Sequence, residues 1–186
     1  MSEVATISDD VANNLESFQQ RVLNLSTAFG ILETDAAKAL YQIISAGRGA
    51  ENAEEAMNLL EESVVLSIGG LATLTDTVDL LTNTLKAYDM ETHEAAHAND
   101  VFFETVRLGK TTITEMSAQL GLVTPIAATL GVSLEELTSI LAALTKGGIK
   151  TQIATTYMRA ALAQVLNISK DAEELLGKKG LGEAFS

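Results

Sequence analysis

The chain has no cysteine and no tryptophan, one proline and two histidines in 186 residues, and aromatics make up only 4% of it. Without cysteine there are no disulfides and no thiolate metal sites, which suits a reducing compartment without specifying one. With so few aromatics, a core must be assembled from Leu, Ile, Val and Ala, the mixture of interleaved helices, and the single proline agrees with that. Basic residues are scarce too: 12 Lys and Arg stand against 25 Asp and Glu, a formal net charge of −13. That charge repels phosphate backbones and leaves no basic stripe for counterion release, so no direct nucleic-acid binding is expected. Met1 to Asp10 lacks the basic start and apolar run of a signal peptide. The longest uncharged run, Met116 to Leu134, is interrupted by Gln119, Gly121, Thr124, Pro125, Thr129, Gly131 and Ser133. Membrane contact is therefore not expected of it.

What is present is helical periodicity. Val11, Leu15, Phe18, Val22, Leu25, Phe29 and Leu32 alternate gaps of four and three, which predicts one long amphipathic helix over residues 1–32. Its flanks are Asn, Gln, Ser and Thr rather than pairs of Glu and Lys, which favours packing on the rest of the chain and leaves self-association as the alternative. Beyond it the elements shorten. Thr34-Asp35 opens a helix through Ala37, Leu40 and Ile44 that stops at Gly47-Arg48-Gly49, and another runs from Glu51 to Ile68 before Gly69-Gly70. Thr75-Asp76 opens a helix through Val78, Leu81 and Leu85 to Ala87, and Thr92 caps one through Ala96, Val101 and Val106 to Gly109.

Two short helices, about Ile113–Leu120 and Pro125–Leu130, meet at a corner through Gly121, with Pro125 in the first turn and Gly131 beyond. Ser133 and Glu136 form a capping box for a helix through Leu137, Ile140 and Leu144 that Gly147-Gly148 ends, and Thr151 caps a helix to about Leu166. The expected fold is all-α: an array of short antiparallel helical hairpins over residues 33–168, after the N-terminal helix of 1–32 and before a short polar helix and tail in 169–186. Aligning Asp35, Asp76 and Glu135 gives unequal offsets of 41 and 59, so the hairpins are not a strict repeat. Phe102-Phe103, Met57 and Met158 sit at core spacings, whereas Glu51, Glu54, Glu55, Glu61 and Glu62 read as a solvated helix face rather than an acidic docking surface.

One motif suggests chemistry. His93-Glu94-Ala95-Ala96-His97 matches the pattern in which two histidines one turn apart bind zinc and the glutamate activates water. The chain has no third histidine, and a third ligand would have to be Glu104 or Glu115. Thr92 would also place His93 on an exposed first turn, with Glu94 an ordinary complement to the helix dipole. No metal site and no cofactor are expected. The paired glycines follow helices rather than strands and lack the Lys-Ser/Thr of a phosphate loop, and no serine lies in pattern with a histidine and an acid. An enzyme is not expected.

The order of short motifs is more specific than any one of them. Leu108-Gly109-Lys110-Thr111-Thr112, then Leu120 to Ala128 (LGLVTPIAA), Gly131 to Glu136 (GVSLEE) and Leu144 to Ile149 (LTKGGI) follow in sequence, after Leu40 to Gly47 (LYQIISAG) and before Asn167 to Leu176. This order resembles the conserved core of phage tail tape measure proteins, over about three quarters of the chain. Ile168 stands where that family usually has proline. The resemblance implies a structural protein inside the tail tube, made in the host bacterial cytoplasm. There it would set tail length with the help of tail assembly chaperones, contact the tail tube protein and other tail components, and leave ahead of the DNA. At about 1.5 Å per residue, 186 residues of continuous helix reach about 280 Å, short for a ruler, so the chain reads as a piece of a longer protein. A helical scaffold or adaptor is the alternative function, and a zinc hydrolase through His93 and His97 a remote one.

Overall fold

Capping side chains set where several of the helices begin. The hydroxyl of Thr73 accepts from the Asp76 amide at 3.1 Å, Thr112 from Glu115 at 3.2 Å and Ser133 from Glu136 at 3.2 Å, and Asn52 accepts from Glu54 at 3.2 Å. Glu115 and Glu136 reach back to the Thr112 and Ser133 amides, completing two capping boxes. The computed structural model describes residues 3–48 and 52–183, with side chains through residue 168. Among the described residues there are ten α-helices and no strand: α1 Asp9–Asn13, α2 Leu15–Phe29, α3 Glu33–Ser45, α4 Ala53–Gly69, α5 Leu74–Ala87, α6 Ala95–Leu108, α7 Ile113–Leu120, α8 Thr124–Thr129, α9 Leu134–Lys146 and α10 Thr151–Glu183. The all-α class holds.

Several boundaries differ from the sequence expectation. The N-terminal segment is two helices, not one, because Asn14 (φ −123°, ψ 28°) leaves the helical region and its side chain donates to both the carbonyl and the carboxylate of Asp10 at 3.1 Å. Val11, Phe18, Val22 and Leu25 are buried in this chain and Leu15 is half-buried, while Phe29 and Leu32 are exposed. An Arg21–Glu54 ion pair ties α2 to α4, and the Asp10 carboxylate accepts from the Ala53 amide at 3.1 Å. Thr92 does not cap α6. It is buried in a 3-10 turn, Thr92–Glu94, whose cap is Glu91. The last helix continues past Leu166 to Glu183, a length of about 50 Å for 33 residues. Gly49 and Glu51, read above as a stop and a start, and residues 184–186 of the C-terminal segment lie outside the described residues.

The helices do not lie in a simple row. Sequence neighbours α3 and α4, α4 and α5, and α9 and α10 pack together, but the most extensive pairings include α5 with α7 and α6 with α9, which skip along the chain. One core joins them, with Leu40, Leu59, Leu66, Leu81, Leu85, Phe102, Ile113 and Met116 fully buried, and Met57 and Met158 join it while Phe103 packs on its edge. Gly109 sets the spacing of α6 on α9. A Cβ there would lie 2.7 Å from the Thr145 hydroxyl and 3.0 Å from the Ala142 Cα, so a side chain would force the helices apart.

Of the residues expected in the core, Leu40, Ile44, Val78, Leu81, Leu85 and Leu137 are buried, whereas Ala37 and Leu144 are half-buried and Ile140 is 48% exposed. The stripe that α9 buries most deeply is Leu134, Thr138, Leu141 and Thr145. Thr138 and Thr145 donate to the carbonyls of Leu134 and Leu141 at 2.9 Å, so their hydroxyls are satisfied within the helix and their methyls serve as core. The expected stripe through Leu137, Ile140 and Leu144 is turned towards α10 instead. Leu141→Ala should therefore cost about 2–5 kcal/mol and Ile140→Ala within about 0.5 kcal/mol of nothing, measured by urea denaturation. Equal losses would contradict this register.

Candidate interaction surfaces

The zinc-like segment comes apart in three dimensions. His93 lies in the exposed 3-10 turn and His97 in the first turn of α6. The Nε2 of His97 lies 2.7 Å from the Glu135 Oε1 of α9, an ion pair when the ring is protonated, with both side chains more than half exposed. Glu94 is spent on its cap, accepting from the Glu91 amide at 2.7 Å. Glu104 is paired with Arg107, and Glu115 accepts from the Thr112 amide and from the Thr151 hydroxyl at 2.9 Å. Among the described residues no three His, Asp or Glu side chains converge where a metal could bind. His97 instead fastens the start of α6 to the first turn of α9.

Beside that pair, α6 and α9 leave a shallow groove of about 240 Å³ with an apolar floor of Val101, Leu108 and Ala142 and a rim of Asp100, Glu104 and Glu135. The Glu135 amide and then His97 hold the Glu135 carboxyl below its usual range. A second groove, of about 290 Å³, lies between α9 and α10 and is lined by aliphatic and aromatic side chains, among them Leu137, Ile140, Leu144, Tyr157 and Leu162. From it an apolar strip runs out along α10 through Ala161, Val165 and Ile168, the last two 53% and 68% exposed. Sequence reasoning missed this strip because it assigned Ile140 and Leu144 to the core and ended the helix at Leu166. The signal was there in the 3–4 spacing of Met158, Ala161, Val165 and Ile168.

The structural glycines and Pro125 serve the corners between these helices. Pro125 occupies the first turn of α8, and Gly131 (φ +73°) and Gly148 (φ +95°) reverse the chain in left-handed geometry before α9 and α10. Gly121 and Gly147 are right-handed positions that other residues can adopt. After α4 the left-handed residue is Leu71 (φ +51°), 94% exposed, rather than Gly69 or Gly70. At Gly70 a Cβ would meet the Ile113 side chain at 2.3 Å, so this glycine is kept for the approach of α7. Among the described residues no helix is long and apolar enough to cross a membrane, and the run from Met116 to Leu134 is divided among α7, α8 and the start of α9.

The Tyr88 hydroxyl is buried without a hydrogen-bond partner among the described residues. Burial, then the charges of Glu135 and Glu136, push its pKa from 10.0 up to about 12. Because the unfolded chain releases this proton first, Tyr88 contributes stability below pH 10 that is lost as the pH rises from about 10 towards 12. Tyr88→Phe should lack that component of alkaline destabilisation and, with no orphaned hydroxyl, should be as stable as the parent or up to about 2 kcal/mol more stable at pH 7. Urea denaturation of both proteins at pH 7 and pH 11 measures the difference, and a parallel loss in the two would contradict it.

A family model described as phage-related minor tail protein matches residues 19–185. The tape measure protein of Pneumococcus phage Dp-1 is 25% identical over 170 residues, covering 91% of this chain and 14% of that protein. The probable tape measure protein of Clostridium phage phiCD119 is 28% identical over an alignment of 191 residues, covering the whole of this chain and 20% of that protein. The chain thus spans a fifth or less of the length of these relatives. No solved structure matches it. With the match extending from α2 to the end of α10, the chain belongs to the phage-related minor tail protein family.

Proposed function

We propose that this chain is a compact structural module of a tape measure protein. The parent protein would take part in tail assembly, tail length determination and genome delivery. The observation that carries the reading is the combination of family membership with a fold that closes on itself, α5 on α7 and α6 on α9. A ruler segment must be extended so that each residue adds about 1.5 Å, and helices that double back cannot scale in that way. The module's part is therefore in assembly contacts or in rearrangement at ejection, while other sequence of the parent does the measuring. Its setting is the tail tube lumen, after synthesis in the host cytoplasm. Its partners are the tail tube protein, tail assembly chaperones and other tail components, met through surfaces rather than through a catalytic or metal site.

The test separates fold from length in a phage encoding the full-length parent. Leu81→Asp with Leu141→Asp buries two charges while leaving the residue count unchanged, and the expected result is a large fall in infective particles with normal length in the tails that form. In-frame removal of residues 133–166 should likewise cut particle yield without proportional shortening. Viable tails shorter by about 50 Å, which is 34 residues at about 1.5 Å each, would show that the segment belongs to the ruler.

A further inference from the structure

We infer that the groove between α6 and α9 is a docking site for an amphipathic helix of a partner protein, one that carries Lys or Arg at one end of its apolar stripe. The two helices run side by side in the same direction: His97 meets Glu135 near their starts, and Gly109 lies against Ala142 and Thr145 near their ends. Their inward faces belong to the core, with Phe102 and Leu141 buried. The groove on their outer side, of about 240 Å³, continues into a second hollow of about 210 Å³ that shares Leu108, Ser139 and Ala142 with it and ends at Lys146. From Asp100 to Leu108 it follows about 12 Å of α6, or about two turns. Its α9 wall is Ser139, Ala142 and Ala143, side chains short enough for a third helix to approach closely, and Leu108, 43% exposed, offers that helix an apolar contact.

Charge selects the occupant. Asp100, Glu104 and Glu135 stand around one end of the groove, and Lys146 stands at the other. Glu135 in the first turn and Lys146 in the last turn of α9 are what the helix dipole favours. Asp100 and Glu104 lie in the middle of α6, where the dipole gives no reason for them. Glu104 is paired with Arg107 and Glu135 with His97, whereas Asp100 makes no ion pair among the described residues. A cation on an incoming helix complements that end and is repelled by Lys146 at the other, so the charge gradient sets the direction of docking as well as the partner. An uncharged apolar surface would cover the Asp100 carboxylate without pairing it, and a second copy of this chain, at −13, would set carboxylates against carboxylates. The site is a property of the folded chain, whether or not the segment takes part in setting tail length.

Fluorescence anisotropy of a labelled synthetic peptide is the test, the peptide being a helix of about 15 residues with a stripe of Leu and Ala and with lysines in one terminal turn. Titrated with the 186-residue chain in about 0.15 M salt, it should bind saturably with a Kd at or below about 100 μM. The same peptide with glutamate in place of lysine should not bind. Asp100→Asn with Glu104→Gln should weaken binding by about fivefold or more, and so should Leu108→Ser. All three positions are exposed, so helix content by circular dichroism should stay unchanged. The control pair Glu16→Gln with Asp89→Asn removes the same charge from exposed positions elsewhere and should leave Kd within about twofold. No saturable binding, equal binding of the glutamate peptide, groove variants that bind like the parent, or equal weakening by the control pair, which would mean attraction to net charge alone, would each overturn the inference.

Discussion

Nothing larger than a hydrogen atom fits between the end of α6 and Thr145 of α9. The Thr145 hydroxyl accepts from the Lys110 amide at 3.2 Å and donates to the Leu141 carbonyl of its own helix, while the space a Gly109 side chain would need is already filled. That close approach holds α6 and α9, which are not neighbours in sequence, in register. The Thr151 hydroxyl donates to the Glu115 carboxylate and accepts from the Thr111 hydroxyl, both at 2.9 Å, and so ties the start of α10 to the start of α7. At the far end of α6, Asn99 donates to the Glu62 carbonyl at 3.0 Å and to its carboxylate at 2.8 Å, which fixes α6 on α4. The module is thus closed by hydroxyls and amides at helix crossings as well as by its aliphatic core.

Much of this was legible in the sequence wherever local chemistry decides. The capping box at Ser133, the corner at Pro125 and the buried faces of α3 and α5 follow from patterns within one turn. The misses share a cause. Threonine counts as polar in a pattern, yet Thr77, Thr138 and Thr145 are buried because each hydroxyl finds a carbonyl three or four residues back, and Thr77 also reaches the Ser63 carbonyl of α4 at 2.9 Å. Reading them as polar turned the face of α9 by one position and put Ile140 inside. The break at Asn14 was missed for the same type of reason, a side-chain hydrogen bond, here to Asp10. That α6 would meet α9, and so bring His97 to Glu135, is a tertiary fact without a local signal.

The surfaces follow from that arrangement. Closing α6 on α9 uses one stripe of α9 and leaves its other stripe facing α10, where the groove stays open. Among the described residues the polar contacts between these elements are caps, crossings and ion pairs. The proposed role is to hold position within an assembly, and membership of the phage-related minor tail protein family supports it.

Small-angle X-ray scattering from the isolated chain, extrapolated to low concentration, tests the compact-module account most directly. A folded body of 186 residues should have a radius of gyration of about 16 Å. Rod-like scattering with a radius several times larger, as expected of helix stretched towards about 280 Å, would contradict the account and restore this segment to the ruler.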